Sequence, residues 1–199
     1  MKLVCATRNK GKIREFQRLF AGLSVEILSL SDVGFEDEIE ETGGSFEENA
    51  YIKAKTVCDF SGLPAFADDS GLEVDMLGGE PGIYSARYGG EGLDDYGRNK
   101  LLLEKMIHVS YDLRTAHFVC AICLCMPEPD EREIRIRQRC DGVIGYEPKG
   151  VNGFGYDPLF VYNGKSFGEM SDWEKDRISH RGKAVSEFLI QFQEKILED

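Results

Sequence analysis

The sequence of 199 residues lacks an apolar run that could cross a membrane. Its longest uninterrupted apolar stretch, Phe118 to Met126, has nine residues, whereas a membrane-spanning helix needs about 18 or more. The chain also turns polar at Thr7, which is too early for the apolar core of a secretion signal. Both absences predict a cytoplasmic protein without a membrane partner.

Positive charge is scarce as well. Lys and Arg together number 24 against 36 Asp and Glu, so the formal net charge is −12. Binding to duplex nucleic acid relies on cationic contacts with phosphates, so we expect no stable nucleic-acid partner. A small anionic ligand in a local cationic pocket remains compatible with this balance.

Three familiar catalytic signatures and all internal repeats are missing. The chain has no Walker loop, no serine-hydrolase elbow and no Rossmann Gly-x-Gly-x-x-Gly. Six cysteines are present, but a long chain without an export signal favours buried thiols over disulfides. His117, Cys120, Cys123 and Cys125 suggest zinc at first. Strand alternation places Cys120 on the opposite face from the other three, so zinc is not expected.

What the sequence contains is an alternation of strand-like and helix-like segments. This order predicts an α/β fold, and the length suits one domain spanning residues 1–199. The strands are expected near residues 2–6, 25–28, 64–67, 72–76, 115–126, 133–143 and 158–162. The helices are expected near residues 13–20, 45–62, 94–107 and 184–196, the second opening on a Ser45–Glu48 capping box.

A polar loop, Thr7 to Lys12, joins the first strand to the first helix. A helix start offers N–H groups and a positive dipole end to an anion, and two lysines add charge. This pattern resembles a phosphate cradle, although an ordinary surface loop with two lysines would look the same.

Acidic residues concentrate before and after the second helix. The segment 32–48 has eight acidic residues and no Lys or Arg, which is typical of a solvated surface. Asp68 and Asp69 follow the apolar strand 64–67, where open α/β sheets bind ligands. One of them could ligate Mg²⁺ or act as a base while the other caps a turn; a simple Asp-Asp-Ser-Gly turn is the alternative.

Two further segments combine chemistry-bearing residues. In Gly153 to Pro158, glycines flank aromatic side chains, so a ring could lie against a flat ligand. In Ser179 to Gly182, a His-Arg pair supplies donors at a helix start. Taken alone, the first is equally compatible with a packed turn and the second with a helix cap.

Together these segments resemble the inosine triphosphate pyrophosphatase family in its bacterial form. The matching motifs run in the family's order along the whole chain. They are Thr7-x-Asn9-x-x-Lys12-x-x-Glu15, Glu40-Glu41-Thr42-Gly43 with Phe46-x-Glu48-Asn49-Ala50, Ala67-Asp68-Asp69-Ser70-Gly71-Leu72, Gly78-Gly79-x-Pro81-Gly82-Ile83-Tyr84-Ser85-Ala86-Arg87, Gly153-Phe154-Gly155-Tyr156-Asp157-Pro158 and Ser179-His180-Arg181-Gly182.

The resemblance implies a long mixed sheet flanked by helices, with two lobes and a cleft, and a homodimer. It also implies Mg²⁺-dependent hydrolysis of ITP, dITP and XTP to the monophosphate and pyrophosphate, which cleanses the nucleotide pool. Asp69 would accept a proton, and Glu40 and Asp69 would hold the metal, with Glu41 an alternative to Glu40. The substrate would contact Thr7, Arg8, Asn9, Lys10, Gly11, Lys12, Lys53, Ser70, Phe154, Gly155, Tyr156, Asp157, Lys175, His180 and Arg181.

Three other functions remain open at this point. A nucleotide-binding module without hydrolysis would have little need of carboxylates beside phosphates. A pyrophosphatase for methylated or pyrimidine nucleotides would differ only in the base pocket. A nucleic-acid-binding role is disfavoured by the net charge of −12.

Overall fold

The computed structural model describes residues 1–21, 25–90, 92–130 and 132–197. Seven strands form one sheet in the order β2-β1-β3-β4-β5-β6-β7. The strands are β1 (Lys2–Cys5), β2 (Glu26–Leu28), β3 (Ala65–Val74), β4 (Thr115–Cys125), β5 (Glu133–Ile144), β6 (Phe160–Tyr162) and β7 (Lys165–Ser166). The sheet is mixed, because β1 runs parallel to β2 and β3 while β6 is antiparallel to β5 and β7.

Helices flank the sheet, which confirms the predicted α/β class. They are α1 (Lys10–Leu19), α2 (Phe46–Ser61), α3 (Asp95–Lys105), α4 (Asp172–Ile178) and α5 (His180–Phe192), the last continuing into a π-helical segment, Gln193–Leu197. Within the described ranges, no helix has the length and apolar character that a membrane span requires. The sequence did not predict β7 or α4, and α5 begins four residues earlier than expected.

Local capping explains where α1 and α2 begin and end. Asn9 caps α1, so this helix starts at Lys10, before the expected Ile13. Ser45 Oγ accepts from Glu48 N at 3.2 Å, and Gly62 ends α2 in the left-handed conformation. Only half of the predicted capping box forms, because the Glu48 carboxylate accepts from Gly44 N at 2.7 Å instead of Ser45 N.

The strand β3 differs most from its prediction. Two strands separated by an acidic turn were expected, but Ala65–Val74 is one strand of ten residues. Asp68 and Asp69 therefore lie inside β3 and not beyond its end. Buried cations pair with both carboxylates, which offsets the cost of burying them in a strand.

The chain divides into two compact units. Unit 1 comprises residues 1–69, 120–138 and 181–199, and unit 2 comprises residues 70–119 and 139–180. The core of unit 1 surrounds Phe16, Phe66 and Phe188 with apolar residues of β1, β4 and β5. The core of unit 2 surrounds Phe118 and Phe160.

Unit 2 also buries a guanidinium group. Arg114 donates to four backbone carbonyl oxygens. Three of these bonds are buried, to Ile144 at 2.7 Å, Met106 at 2.8 Å and Gly145 at 2.9 Å, and the fourth is to Val109 at 3.4 Å. Burial lowers the pKa of Arg114 below its ordinary value. This side chain joins the end of α3 to the end of β5.

Candidate functional site

The loop between β1 and α1 is held in shape by its own side chains. Asn9 Oδ1 accepts from Gly11 N at 2.9 Å and Lys12 N at 3.1 Å, and Thr7 Oγ1 accepts from Asn9 N at 3.2 Å. Asn9 thus already accepts hydrogen bonds from backbone N–H groups at the start of α1, which were expected to bind an anion. A phosphate at this point would depend first on the side chains of Lys10 and Lys12.

Arg8 fixes the same loop to the acidic segment that follows β2. Its Nη2 donates to the carbonyl oxygen of Glu36 at 2.7 Å and to that of Asp37 at 3.0 Å. These contacts give Arg8 a positioning role in the structure. Direct binding of substrate by Arg8 stays a prediction.

The first carboxylate of the Asp68-Asp69 pair lies between two cations. Asp68 Oδ2 lies 3.0 Å from Lys12 Nζ and 3.1 Å from Arg181 Nη2, and Arg181 Nη1 also donates to Glu15. Burial alone would raise the pKa of Asp68, but Lys12, Arg181 and Lys53 outweigh it and hold this pKa well below the usual range. Asp68 is therefore an ionised anchor for two cations.

The second carboxylate, on the opposite face of β3, has different partners. Asp69 Oδ1 lies 3.0 Å from Lys53 Nζ, and its Oδ2 accepts from Asn49 Nδ2 at 3.3 Å. Burial raises the pKa of Asp69, Lys53 and Lys12 lower it in part, and the charge of Glu41 raises it further, so the net shift is upward. Adjacent carboxylates thus have opposite pKa shifts.

Lys53 connects Asp69 to the acidic segment before α2. Its Nζ lies 2.8 Å from Glu41 Oε1, while Glu40 is exposed at the surface. Burial alone would lower the pKa of Lys53, but Asp69, Asp68 and Glu41 together raise it. Glu41 is thus the acidic neighbour of Asp69 in the structure, and the metal-binding role of Glu40 stays a prediction.

In unit 2, the glycine-rich loop is organised by a buried acid. Asp157 Oδ2 accepts from Phe154 N at 2.9 Å and lies 2.7 Å from Lys175 Nζ, which in turn lies 5.0 Å from the Phe154 ring centre. A Cβ on Gly153, whose φ is +76°, would lie 2.0 Å from Asp157 Oδ2. Glycine is therefore required at position 153, and Lys175 and Asp157 form a buried pair.

The other predicted motifs of unit 2 also make defined contacts. Tyr156 Oη donates to Ser85 O at 2.9 Å, which links the loop to the Gly82–Arg87 turn. The His180 ring stacks on Phe118 with centres 4.7 Å apart. Ser70, the residue after Asp69, is half-buried. The structure thus gathers Phe154 to Asp157 with Lys175 in unit 2, and Lys12, Lys53, Asp69 and Arg181 in unit 1.

Two residues of unit 1 received no role from the sequence alone. Glu15 contacts Arg181, and Asn49 contacts Asp69. Glu15 and Asn49 stood in the matched motifs, and both are polar residues on the buried face of a helix. That pattern was the available signal, because a buried polar side chain requires a partner.

The thiols are buried, and His117 does not contact them. Cys123 Sγ and Cys125 Sγ are 4.0 Å apart, while the His117 ring lies beside Asp75 and Asp141. Burial raises the pKa of Cys120 to about 12. Among the described residues, no group of three or more His, Cys, Asp or Glu side chains could hold a metal ion.

The sequence model of the Ham1 family matches residues 3–191. The chain belongs to the Ham1 family. Relatives named dITP/XTP pyrophosphatase include that of Exiguobacterium sibiricum, 47% identical over 93% of both chains, and that of Bacillus licheniformis, 45% identical over 92% of this chain and 94% of the relative.

Solved structures agree with the Ham1 assignment. The HAM1 protein from Coxiella burnetii has a TM-score of 0.89 and 37% identity, covering 98% of this chain and 99% of its own. The Staphylococcus aureus Ham1 protein has a TM-score of 0.85 and 37% identity, covering 98% of each chain. These matches confirm the predicted family and the predicted mixed sheet with flanking helices, and they place the chain among nucleoside-triphosphate pyrophosphatases.

Proposed function

We propose that this Ham1-family enzyme hydrolyses non-canonical purine nucleoside triphosphates, namely ITP, dITP and XTP, to the monophosphate and pyrophosphate with Mg²⁺. The names of the relatives support the reaction class. The observation that carries the proposal is the pair Asp68 and Asp69, which point to opposite faces of β3 and each contact a separate lysine at 3.0 Å.

The donor atoms around Asp69 fit a magnesium ion. Lys53 Nζ lies 3.0 Å from Asp69 Oδ1 and 2.8 Å from Glu41 Oε1, so two hard oxygen donors already share one cation. Mg²⁺ favours one or two carboxylates, completed by phosphate oxygens and water. Asp69 with Glu41 or Glu40 would hold it, and it would supply charge neutralisation and a lowered pKa for bound water.

Asp69 is suited to accept the proton of the attacking water. Its Oδ1 lies 3.0 Å from Lys53 Nζ and its Oδ2 accepts from Asn49 Nδ2 at 3.3 Å, contacts that fix the carboxylate for proton transfer. In the metal-free protein, burial raises the pKa of Asp69 above its ordinary value. Asp68 cannot share this role, since Lys12 and Arg181 keep it ionised with a low pKa. The two adjacent carboxylates would thus have separate roles, Asp69 as the proton acceptor and Asp68 as a permanently ionised partner of two cations.

The lysines neutralise the phosphates and the leaving pyrophosphate. Attack at a phosphorus shielded by negative oxygens requires positioned positive charge. Lys12 is oriented by Asp68, and Lys53 is oriented by Asp69 and Glu41. An incoming triphosphate would meet the Lys12 ammonium group beside Asp68, while Mg²⁺ between Asp69 and Glu41 would take the place of the Lys53 ammonium group and leave it to the phosphates.

Discrimination between bases follows from hydrogen-bond donors. Hypoxanthine and xanthine carry an acceptor at position 6, whereas adenine carries an amino donor, so a site that presents a donor rejects ATP. A site built around such a polar contact can discriminate by about 10⁴ or more. We assign base binding to the Phe154–Asp157 segment and to His180 and Arg181, as the family resemblance implies, with Arg181 as the candidate donor to position 6.

The deciding assay compares pyrophosphate release from ITP, XTP, dITP, GTP and ATP with Mg²⁺ under identical conditions. We expect release from the first three to exceed release from GTP and ATP by orders of magnitude. GTP carries the same acceptor at position 6, so its rejection would rest on crowding or an unmet donor at position 2. Tight ITP binding without any release would instead favour the binding-module alternative.

The variant Asp69→Asn tests the role of the carboxylate in the same assay. We expect turnover to fall by about 10²-fold or more, because the amide cannot accept the proton. Asp59→Asn removes an exposed carboxylate of the same unit, paired with Lys55 at 2.5 Å, and should leave turnover unchanged. Near-normal turnover of Asp69→Asn would contradict the assignment.

We also propose two further properties, the first predicted from the sequence and the second implied by the resemblance. We assign the enzyme to the cytoplasm and to a homodimer. Sedimentation velocity of the purified protein tests the second, and a monomer at micromolar concentration would contradict it.

A further inference from the structure

The glycine-rich loop of unit 2 is held by two side chains of α3 at a single residue. Asp95 Oδ2 accepts from Gly155 N at 2.7 Å, and Asn99 Nδ2 donates to Gly155 O at 3.0 Å. Asp95 and Asn99 are four residues apart on the helix and therefore share one face. Both polar backbone groups of Gly155 are thus fixed by the same helix.

Gly155 is the position in the loop where such control matters most. Its φ is +62°, a conformation that favours glycine, and no atom lies within 4 Å of the place where a Cβ would stand. The peptides on its two sides join it to Phe154 and Tyr156, whose side chains the proposed function assigns to the purine base. A rotation at Gly155 would change the direction of Phe154 relative to Tyr156.

The neighbours of Gly155 are fixed from other directions. Asp157 Oδ2 accepts from Phe154 N at 2.9 Å, and Tyr156 Oη donates to Ser85 O at 2.9 Å. Gly155 itself is held through α3. Helix α3 therefore fixes the backbone of Gly155, whereas Asp157 fixes Phe154 and the hydroxyl of Tyr156 fixes Tyr156 itself.

The side chain of Asn99 has a cost in folding free energy, because one of its polar atoms is buried without a hydrogen bond to any described residue. It is 5% exposed, and its Oδ1 is buried without a hydrogen-bond partner within the part of the chain that the structure describes. A buried acceptor without a partner is unfavourable for folding. The other end of the carboxamide, Nδ2, makes the bond to Gly155 O at 3.0 Å, which offsets part of this cost.

We propose that Asp95 and Asn99 are positioning residues that set the base preference of the enzyme through the Gly155 peptide. The proposal rests on the proposed function, because it deepens the assignment of Phe154 to Asp157 to the base. The two side chains do not touch the base. They hold the backbone that presents the aromatic side chains to it.

Two variants separate the two contacts. Asn99→Ala removes the donor to Gly155 O, and Asp95→Asn weakens the acceptor for Gly155 N. Asp95 is exposed, so Asp95→Asn keeps the proposal testable if Asn99→Ala folds poorly. For each variant, kcat and KM are measured with ITP and with ATP, and the dissociation constants of IMP and AMP are measured by calorimetry.

We expect the preference of kcat/KM for ITP over ATP, and of binding for IMP over AMP, to fall by about tenfold or more in both variants. Matched controls remove comparable groups elsewhere. Glu104→Gln changes an exposed carboxylate of α3, and Gln138→Ala removes a carboxamide that donates to Glu187 at 2.6 Å. Both controls should keep the preference of the unaltered enzyme.

Two results separate this proposal from the proposed function. Folded variants that keep both preferences would overturn the role of Asp95 and Asn99, even if the unaltered enzyme hydrolyses ITP. An unaltered protein that releases no pyrophosphate but binds IMP over AMP would refute the hydrolysis alone. The positioning role would then be decided by the binding preference of the variants.

Discussion

Replacement of Asp68 by Asn should destabilise the protein strongly, because this carboxylate neutralises two cations. Asp68 is 1% exposed, and its Oδ2 lies 3.0 Å from Lys12 and 3.1 Å from Arg181. Each attraction amounts to about 5 kcal/mol at an effective dielectric constant of about 20. Desolvation of the charges offsets much of this, and removal of one partner of a buried pair costs about 3–5 kcal/mol.

The loss is measured as a change in the free energy of unfolding, by urea titration at pH 7 and by calorimetry. For a chain of this size, about 3–5 kcal/mol corresponds to a fall in Tm of about 6–20 °C. The control is Asp59→Asn, which removes an exposed partner of Lys55 at 2.5 Å and should cost less than about 1 kcal/mol. A cost for Asp68→Asn that matches the control would refute the reasoning.

The effect should also depend on pH in a defined direction. The folded-state pKa of Asp68 is lowered relative to the unfolded value of about 3.9. Its contribution to stability is therefore complete above that value and is lost as the pH falls toward the folded pKa. The difference in stability between the unaltered protein and Asp68→Asn should narrow below about pH 4.

Three further variants test other parts of the molecule. Arg181→Ala should lower Tm, since Arg181 pairs with Asp68 and Glu15; an unchanged kcat/KM ratio for ITP and ATP would show that it does not act on base choice. Cys123→Ser should keep activity, and stoichiometric zinc in the purified unaltered protein would overturn the interpretation of the thiols. Arg114→Met should cost about 3 kcal/mol by urea titration, because three buried carbonyls lose their donor.

The sequence predicted elements whose signals are local. Ser45 and Gly62 marked the ends of α2 correctly, because a cap acts within one helical turn. The alternation in 133–143 predicted β5, which the structure extends by one residue to Ile144. Residue 131, between β4 and β5, lies outside the described residues.

Long-range partners were beyond the reach of the sequence. Asp68 lies in a strand and not in the expected turn, because Arg181 and Lys12 pair with its buried carboxylate. Arg181 lies 113 residues further along the chain, and Lys12 precedes β3 by several elements, so the local sequence did not reveal either partner. The same limit applies to Glu40 and Glu41. Their order along the chain does not tell which one contacts Lys53, and only the folded backbone places Glu41 there.

The burial of every thiol has a practical consequence for labelling. All six cysteines are buried, and none forms a disulfide. A cysteine introduced at an exposed position would therefore be the single thiol within easy reach of a maleimide dye. Val151 is 96% exposed and lies two residues before Gly153. A fluorophore attached there would report how the glycine-rich loop responds to a nucleotide, without removal of any native cysteine.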